Sequence, residues 1–171
     1  LLGELRAGSN FDDDEDSIST GQNGEGAALT GIFSTFFKVD TCDGKQRFIR
    51  TYEDNFSRKS DIKIIKSKSN GTLVQFIADF NRLNMSNKLD DDAFLVIKRR
   101  THEIAATAPH LKVYFNNQLI QQNSFAKYSK MFNDNVLTYE TEFWKIGLFK
   151  NDDNCFKHLS FVNSTCTFTG G

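Results

Sequence analysis

The chain has 171 residues, of which 39% are hydrophobic and 25% are charged, and its formal net charge is −1. This composition supports a packed core and excludes a chain that is disordered throughout. It also excludes a global positive field that would attract nucleic acid, and no apolar window is long enough to cross a membrane. Because the first residue is not methionine and no signal peptide follows it, we expect a fragment of a longer protein.

The first half of the chain is predicted to contain a loop, a short helix and four strands. Residues 11–20 (FDDDEDSIST) are strongly acidic, as in an exposed loop, and the glycine-rich residues 21–26 precede a short helix. Apolar and polar residues alternate on either side of Asp43-Gly44, a dipeptide typical of hairpin turns. With two later apolar runs, this pattern predicts antiparallel strands within residues 36–77.

The second half begins with the clearest helix pattern, over residues 90–106. Acidic side chains occupy its first positions, where the helix dipole favours anions, and apolar residues recur at helical spacing. We expect this apolar stripe to face the core, with the helix lying across the sheet of residues 36–77. The stripe consists of Phe94, Ile97, Thr101, Ile104 and Ala105.

Shorter elements follow the long helix. Asn116-Asn117 predicts a hairpin within residues 111–120, and Ser124 is placed to cap a short helix over 125–132. After residue 132 the pattern changes to apolar segments that predict three consecutive antiparallel strands, at 136–139, 143–149 and 156–162. We therefore predict a domain boundary near residue 132, which gives domains at 1–132 and 133–171.

The glycine-rich segment has the clearest chemical meaning. Gly21, Gly24 and Gly26 form a G-x-x-G-x-G pattern that opens a helix. Glycine allows a tight turn and the close approach of a ligand, and the free N–H groups at a helix N-terminus hold phosphate. The spacing is neither that of a P-loop nor that of a dinucleotide-binding fingerprint. On the pattern alone, a phosphate-binding loop and a plain flexible turn both remain open.

Longer matches extend in collinear order along nearly the whole chain. AGSNFDDDE at residues 7–15, the glycine segment and GIFST at 31–35 resemble the nucleotide-binding segment of the eukaryotic-type DNA topoisomerase II family. The end of that family's ATPase domain and the start of its transducer are matched by ADFNRLNM at 78–85, LDDD at 89–92, KRRTHEIA at 98–105, KVYFNNQLI at 112–120, SFAKY at 124–128, LSFVNST at 159–165 and the final Gly170-Gly171.

This resemblance implies an α+β fold. Residues 1–132 would form the C-terminal part of a GHKL-type α/β sandwich, and residues 133–171 the beginning of a ribosomal-S5-like transducer domain. The parent protein would be a nuclear, homodimeric type II DNA topoisomerase that uses Mg-ATP to pass one DNA duplex through another, with no membrane partner. By resemblance, the residues that contact ATP are Gly8, Ser9, Asn10, Gly21, Gln22, Asn23, Gly24, Glu25, Gly26, Ala27 and Ala28.

The sequence departs from the family pattern at two of these positions. The family's phosphate-loop lysine falls on Ala28, and its tyrosine in the glycine stretch falls on Glu25, which adds a negative charge beside a triphosphate. No glutamate is followed four residues later by asparagine, so the family's general base and Mg²⁺ ligand are expected upstream of Leu1. The transducer lysine that reaches the γ-phosphate is expected downstream of Gly171. We therefore predict no catalytic and no metal-binding residue in this chain, which alone would not hydrolyse ATP.

Two other classes remain open. One is another GHKL protein of the chaperone, mismatch-repair or histidine-kinase type, and the other is a non-catalytic remnant that keeps only a binding or dimerisation surface. For DNA, we expect at most weak, salt-sensitive binding by the isolated chain, because its basic residues are dispersed along the sequence. The densest basic run, residues 98–100 on the long helix, is either a solvated face or a DNA-facing patch.

Overall fold

The computed structural model describes residues 4–7 and 24–167. It divides into two compact units, residues 1–89 and 90–171, which are treated separately below. Both units combine helices with antiparallel strands, so the predicted α+β class is confirmed. The predicted boundary near residue 132 separates an ATPase domain from a transducer domain. It falls inside the second unit and stays a prediction.

The first unit is a short helix followed by a five-stranded sheet. Its elements are α1 (Gly26–Ile32), β1 (Ser34–Asp43), β2 (Gln46–Glu53), β3 (Arg58–Lys59), β4 (Lys63–Lys66) and β5 (Asn70–Ala78). The strand order is β3-β2-β1-β5, and β4 pairs with the other end of β2 from β3. Every pairing is antiparallel, as predicted, but the successive strands β4 and β5 lie on opposite edges of the sheet.

The β1–β2 hairpin forms at the predicted dipeptide. Asp43 Oδ1 accepts hydrogen bonds from the backbone N–H groups of Lys45 and Gln46, each at 2.8 Å. These bonds favour the carboxylate and hold the pKa of Asp43 below its ordinary value. Gly44 has φ of +88°, a left-handed conformation that suits glycine.

The core of the first unit is an aromatic cluster on one face of the sheet. Phe37, Val39 and Tyr52 are buried, and the ring of Phe56 packs on them. The rings of Tyr52 and Phe56 are stacked with centroids 4.3 Å apart, and Phe37 meets both rings edge-on. Such pairs add about 1 kcal/mol each beyond the area they bury. This packing fixes the segment after β2 against the sheet.

The opposite face of β1 buries a charge. Asp40 is 5% exposed, and its two carboxylate oxygens accept hydrogen bonds from Arg47 Nε and Nη2 at 2.6 and 2.7 Å. Lys38 Nζ lies 3.6 Å from the same carboxylate. The bidentate bond from Arg47 is the main reason why the pKa of Asp40 is lowered, with Lys38 adding to the effect. The pair between Arg47 and Asp40 therefore links β2 to β1 on the face opposite the aromatic cluster.

The second unit contains two helices and three two-stranded hairpins. Its elements are α2 (Asp91–Thr107), β6 (Tyr114–Phe115), β7 (Gln118–Leu119), α3 (Phe125–Ser129), β8 (Leu137–Glu140), β9 (Lys145–Leu148), β10 (Ser160–Val162) and β11 (Thr165–Thr167). Asp90 caps α2 by accepting from Ala93 N at 2.7 Å, and Ser124 caps α3 by accepting from Lys127 N at 3.3 Å. Asn116 and Asn117 form the predicted hairpin turn, both with positive φ.

Two sequence predictions for the second unit are confirmed only in part. Ala105 of the predicted apolar stripe is buried, but Phe94 and Ile97 are 40% and 48% exposed, and the charged Glu103 is buried together with Ala105 and Ala106. The first two strands predicted after residue 133 form the antiparallel hairpin β8–β9. Of the third, only residues 160–162 are strand; they pair with β11 in a separate hairpin, and residues 156–159 are not strand. Periodicity alone did not predict the buried face of α2, because that face includes a charged residue.

Across the part of the chain that the structure describes, no helix combines the length and the apolar character needed to span a membrane.

Candidate functional site

The predicted site residues fall partly within the described structure. Gly24 to Ala28 are described, at the entry to α1. The other six lie outside the described residues and stay predictions: Gly8, Ser9, Asn10, Gly21, Gln22 and Asn23. The geometry that can be evaluated is therefore the turn at Gly24 and the first turn of α1.

At the entry to α1, several backbone N–H groups have no hydrogen-bond partner among the described residues. Gly24 has φ of +61°, a left-handed turn that lets the chain enter the helix at Gly26. The first helical hydrogen bond runs from Leu29 N to Glu25 O at 2.9 Å, so the N–H groups of residues 26–28 have no partner within the helix. A Cβ placed on Gly26 would have no atom within 4 Å, so this position is open. Three donors without a partner in the described part of the chain, at an open, glycine-containing turn, fit a phosphate group.

The two residues that replace the family's lysine and tyrosine have different surroundings. Ala28 is 1% exposed and lies on the buried side of α1. Glu25 does not cap the helix with its side chain, and its Oε1 is 3.4 Å from Nε of the exposed Arg6. An exposed pair of this kind contributes little to stability, but it draws the Glu25 carboxylate toward a positive charge. Neither side chain supplies a cation to a bound phosphate.

The far end of α1 is anchored by a segment that sequence analysis missed. Asp54, Asn55 and Phe56 have φ of +48°, +57° and +70°, three consecutive left-handed residues that we call the left-handed turn. Asn55 Nδ2 donates to Ile32 O at 2.9 Å and to Asp79 Oδ2 at 3.1 Å, which satisfies a carbonyl at the end of α1. The only sequence signal was the run Asp-Asn after a strand, since these residue types tolerate the left-handed region.

The left-handed turn places the ring of Phe56 directly against α1. Gly31 is buried, and a Cβ on it would lie 2.0 Å from Cε1 of Phe56. The absence of a side chain at Gly31 therefore allows the helix and the ring to touch. A bulky residue in the left-handed region costs about 1–3 kcal/mol, which is offset by the stacking of Phe56 on Tyr52 and its edge-on contact with Phe37. Through this contact the sheet core determines the position of the glycine segment.

A second group of polar residues lies in the other unit, around a buried carboxylate. Glu103 is 2% exposed; Arg99 Nε lies 2.9 Å from its Oε1, and Arg100 Nη1 lies 3.4 Å from its Oε2. The Arg99 contact has the distance of an ion pair without the alignment of a hydrogen bond. Arg100 Nη1 also donates to Ser164 O at 2.6 Å, so it ties α2 to the turn of the β10–β11 hairpin. These contacts neutralise the buried carboxylate and join elements distant in sequence.

Tyr128 is buried near the same carboxylate. It is 5% exposed, and its hydroxyl has no hydrogen-bond partner among the described residues. Burial, and then the negative charge of Glu103, raise the pKa of Tyr128 to about 12 from an ordinary value of 10. As the pH rises, the unfolded chain loses the Tyr128 hydroxyl proton at a lower pH than the folded chain does. The contribution of this proton to the free energy of unfolding is therefore fully present below pH 10 and is lost as the pH rises from 10 to 12.

We expect Tyr128→Phe to leave the free energy of unfolding at pH 7 unchanged or slightly higher, because it removes an unpartnered buried hydroxyl. Absorbance titration near 295 nm should show one tyrosine that ionises near pH 12 in the parent chain and is missing in the variant. Tyr139→Phe is the matched control, because Tyr139 is 63% exposed. A stability loss of more than about 1 kcal/mol in Tyr128→Phe would show that the hydroxyl has a partner.

Within residues 4–7 and 24–167, no three histidine, cysteine, aspartate or glutamate side chains are grouped as metal ligands. The acidic run at Asp12–Asp16 lies outside this range.

Similar proteins were found by sequence and by structure, although no family model matches the chain. The chain is 35% identical to "DNA topoisomerase 2" of Acanthamoeba polyphaga mimivirus and 33% identical to "Probable DNA topoisomerase 2" of Dictyostelium discoideum. Both alignments cover 100% of this chain but only 14% and 12% of those relatives. The chain therefore spans about an eighth of the length of the curated relatives it matches.

Solved structures agree with the sequence matches. The ATPase region of Saccharomyces cerevisiae topoisomerase II superimposes with a TM-score of 0.88 at 32% identity, over 97% of this chain and 46% of that one. The ATPase and transducer domains of DNA topoisomerase II from Balamuthia mandrillaris superimpose with a TM-score of 0.90 at 31% identity, over 96% and 44%. The predicted fold, part of a GHKL-type sandwich with the start of a transducer domain, is confirmed by these structures.

Proposed function

We propose that this chain is part of the ATPase region of an ATP-dependent type II DNA topoisomerase, because it aligns along its whole length with DNA topoisomerase 2 of other organisms and superimposes on the ATPase region of the yeast enzyme. The observation that carries the proposal is the collinear match of sequence and fold over 97% of the chain. A short motif can recur by chance, whereas a full-length match at about a third identity requires the same order of elements. Chaperone, mismatch-repair and histidine-kinase GHKL proteins are less well supported, because the relatives described above are topoisomerases.

In this proposal the glycine segment closes over the phosphates of ATP. The free N–H groups of Gly26, Ala27 and Ala28 would donate to phosphate oxygens, and the left-handed Gly24 would keep the turn open for them. The left-handed turn at residues 54–56 would hold α1 in place while the ligand enters. ATP supplies the phosphoryl group for transfer, and the residues of this chain bind and orient it.

The remaining parts of the proposal concern the parent protein. We propose Mg²⁺ as the partner of ATP, with its ligand outside this chain, and DNA as the substrate. We also propose a homodimer that captures a DNA duplex, and a nuclear location. A fluorescent fusion of the parent protein that stays outside the nucleus would contradict the proposed location. These statements rest on the family resemblance.

The decisive experiment uses the full-length natural protein that contains this sequence. We expect it to unlink interlocked DNA circles in the presence of Mg-ATP and to be inactive without nucleotide. A protein that binds DNA and nucleotide but never changes DNA topology would support the second candidate, a non-catalytic remnant. That candidate is favoured by one observation, the absence of a cation at Glu25 and Ala28.

We predict that the 171-residue chain alone does not release phosphate from Mg-ATP. Hydrolysis needs a base, a metal ligand and cations on the developing charge, and the described glycine segment offers only backbone donors. Phosphate release should equal that of a heat-unfolded sample, with the topoisomerase II ATPase region from yeast as the positive control. Turnover above background by this chain would show that a catalytic base lies within these residues.

A further inference from the structure

One edge of the sheet carries an excess of positive charge. Residues 45–68 contain eight of the 21 lysine and arginine residues of the chain against three carboxylates, although the whole chain has a net charge of −1. The sequence suggested that basic residues are dispersed, but β2 pairs with both β3 and β4 and brings them together. The resulting basic edge consists of five exposed lysines: Lys45, Lys59, Lys63, Lys66 and Lys68.

The basic edge is continuous along β2. Lys59 is opposite Tyr52 at one end, and Lys66 is opposite Gln46 at the other. Ser67 N donates to Lys45 O at 3.0 Å, so Lys45 and Lys68 extend the same end beyond the strands. Eight residues of β2 span about 24 Å at the usual strand rise. Duplex DNA presents about 14 charges over that length.

The five lysines differ from the arginines beside them. Arg47 is paired with Asp40, and Arg58 is paired with Glu53 and Asp54. The five lysines form no ion pair with any carboxylate of residues 4–7 or 24–167, so their charge is available to a partner. Edge strands are often protected from pairing by lysine, but Lys45 and Lys68 lie outside the edge strands and do not serve that purpose.

We propose that the basic edge binds the phosphate backbone of duplex DNA, without reading its sequence. Lys59 and Lys66 lie on one face of the sheet and Lys63 on the other, so flexible ammonium groups flank the edge on both sides and can reach a regular polyanion laid along it. Lysine also lacks the fixed fork of donors with which arginine reads bases. The inference rests on the proposed function only in choosing DNA as the partner. The sequence led us to expect weak, salt-sensitive DNA binding, and the proposal locates that binding at the basic edge.

The test measures binding of a fluorescein-labelled 30-base-pair duplex to the 171-residue chain by anisotropy, at several salt concentrations. The parent chain should bind with a slope of log affinity against log salt of about −4, since each phosphate contact contributes about −0.9. A variant with Lys59→Gln, Lys63→Gln, Lys66→Gln and Lys68→Gln should bind the duplex at least tenfold more weakly than the unmodified chain, with a slope of about −1.

A matched control removes the same charge elsewhere. Lys88→Gln, Lys112→Gln, Lys130→Gln and Lys150→Gln change four exposed lysines that are also outside the ion pairs of the described residues. This control should keep the affinity within about threefold. Replacing the four edge lysines with arginine should retain DNA binding, because the positive charge is kept. This variant decides the test if copies of the glutamine variant associate with one another through the uncharged edge.

Three outcomes would overturn the proposal. The first is equal loss of binding in the two glutamine variants, which would show that only net charge matters. The second is no binding of the parent chain at low salt. The third is equal affinity for vesicles rich in phosphatidylserine, lost in the same variant, which would make the edge a general polyanion surface. None of these outcomes would affect the topoisomerase assignment, since the unlinking assay of the longer protein tests that separately.

Discussion

Gly31→Ala is expected to lower the free energy of unfolding by about 3 kcal/mol, through a single added methyl group. The new Cβ would lie 2.0 and 2.1 Å from two ring carbons of Phe56, so the helix and the ring cannot both stay in place. Phe56 cannot rotate away cheaply, because its ring is stacked on Tyr52 at 4.3 Å and its backbone is left-handed. Chemical denaturation followed by circular dichroism measures the loss.

Gly26→Ala on the same helix is the matched control. No atom lies within 4 Å of a Cβ at Gly26, and alanine is favoured over glycine in a helix by up to about 1 kcal/mol. Its stability should therefore be unchanged or higher. If Gly31→Ala is as stable as the parent chain, Phe56 is not packed against α1 and the left-handed turn does not anchor the glycine segment. If the contact exists, combining Gly31→Ala with Phe56→Ala should cost less than the sum of the two single changes.

Ala28→Lys is expected to destabilise the chain by about 3 kcal/mol or more, although it restores the residue type of the resembled family. Ala28 is 1% exposed, so a lysine stem has little space there and its ammonium group would be removed from water. Either α1 moves away from the residues that pack against it, or burial lowers the pKa of the new lysine so that it loses its charge more easily. Thermal unfolding at pH 7 measures the effect.

Leu29→Lys separates burial from charge. Leu29 is the next residue of α1 and is 41% exposed, so its replacement by lysine should cost less than about 1 kcal/mol. Both variants should also be titrated with Mg-ATP by calorimetry. A stable Ala28→Lys protein with higher nucleotide affinity than the parent chain would show that position 28 faces the nucleotide, and would contradict its assignment to the buried side of α1.

Local patterns in the sequence predicted those parts of the fold that depend on neighbouring residues. Asp43-Gly44 predicted the β1–β2 turn, because a short acceptor side chain and a left-handed glycine suffice to form it. Ser124 predicted the start of α3 for the same reason, since it caps a backbone N–H three residues later. The acidic residues at 90–92 predicted the start of α2 through the helix dipole, and in the structure Asp90 is its N-cap. The glycine pattern likewise predicted the entry to α1.

Features that depend on distant residues could not be predicted in this way. The contact between Gly31 and Phe56 joins residues on a helix and beyond two strands, and neither position signals the other. The burial of Glu103 on α2 could not be predicted either, because its charge is neutralised by Arg99 and Arg100 on the same helix rather than by solvent. Six of the eleven predicted nucleotide-contacting residues lie outside the described residues, and their roles stay predictions.

The two outer edges of the five-stranded sheet differ in charge, since β3 and β4 carry lysines and β5 carries no charged residue. The apolar side chains of β5 are exposed on both faces, at Leu73, Val74, Phe76 and Ile77. No other strand of the described residues pairs with its outer side. A further strand would therefore find open hydrogen-bonding groups and apolar surface at β5, whereas the lysines of β3 and β4 protect the opposite edge from pairing. We therefore expect any additional strand to join this sheet at β5.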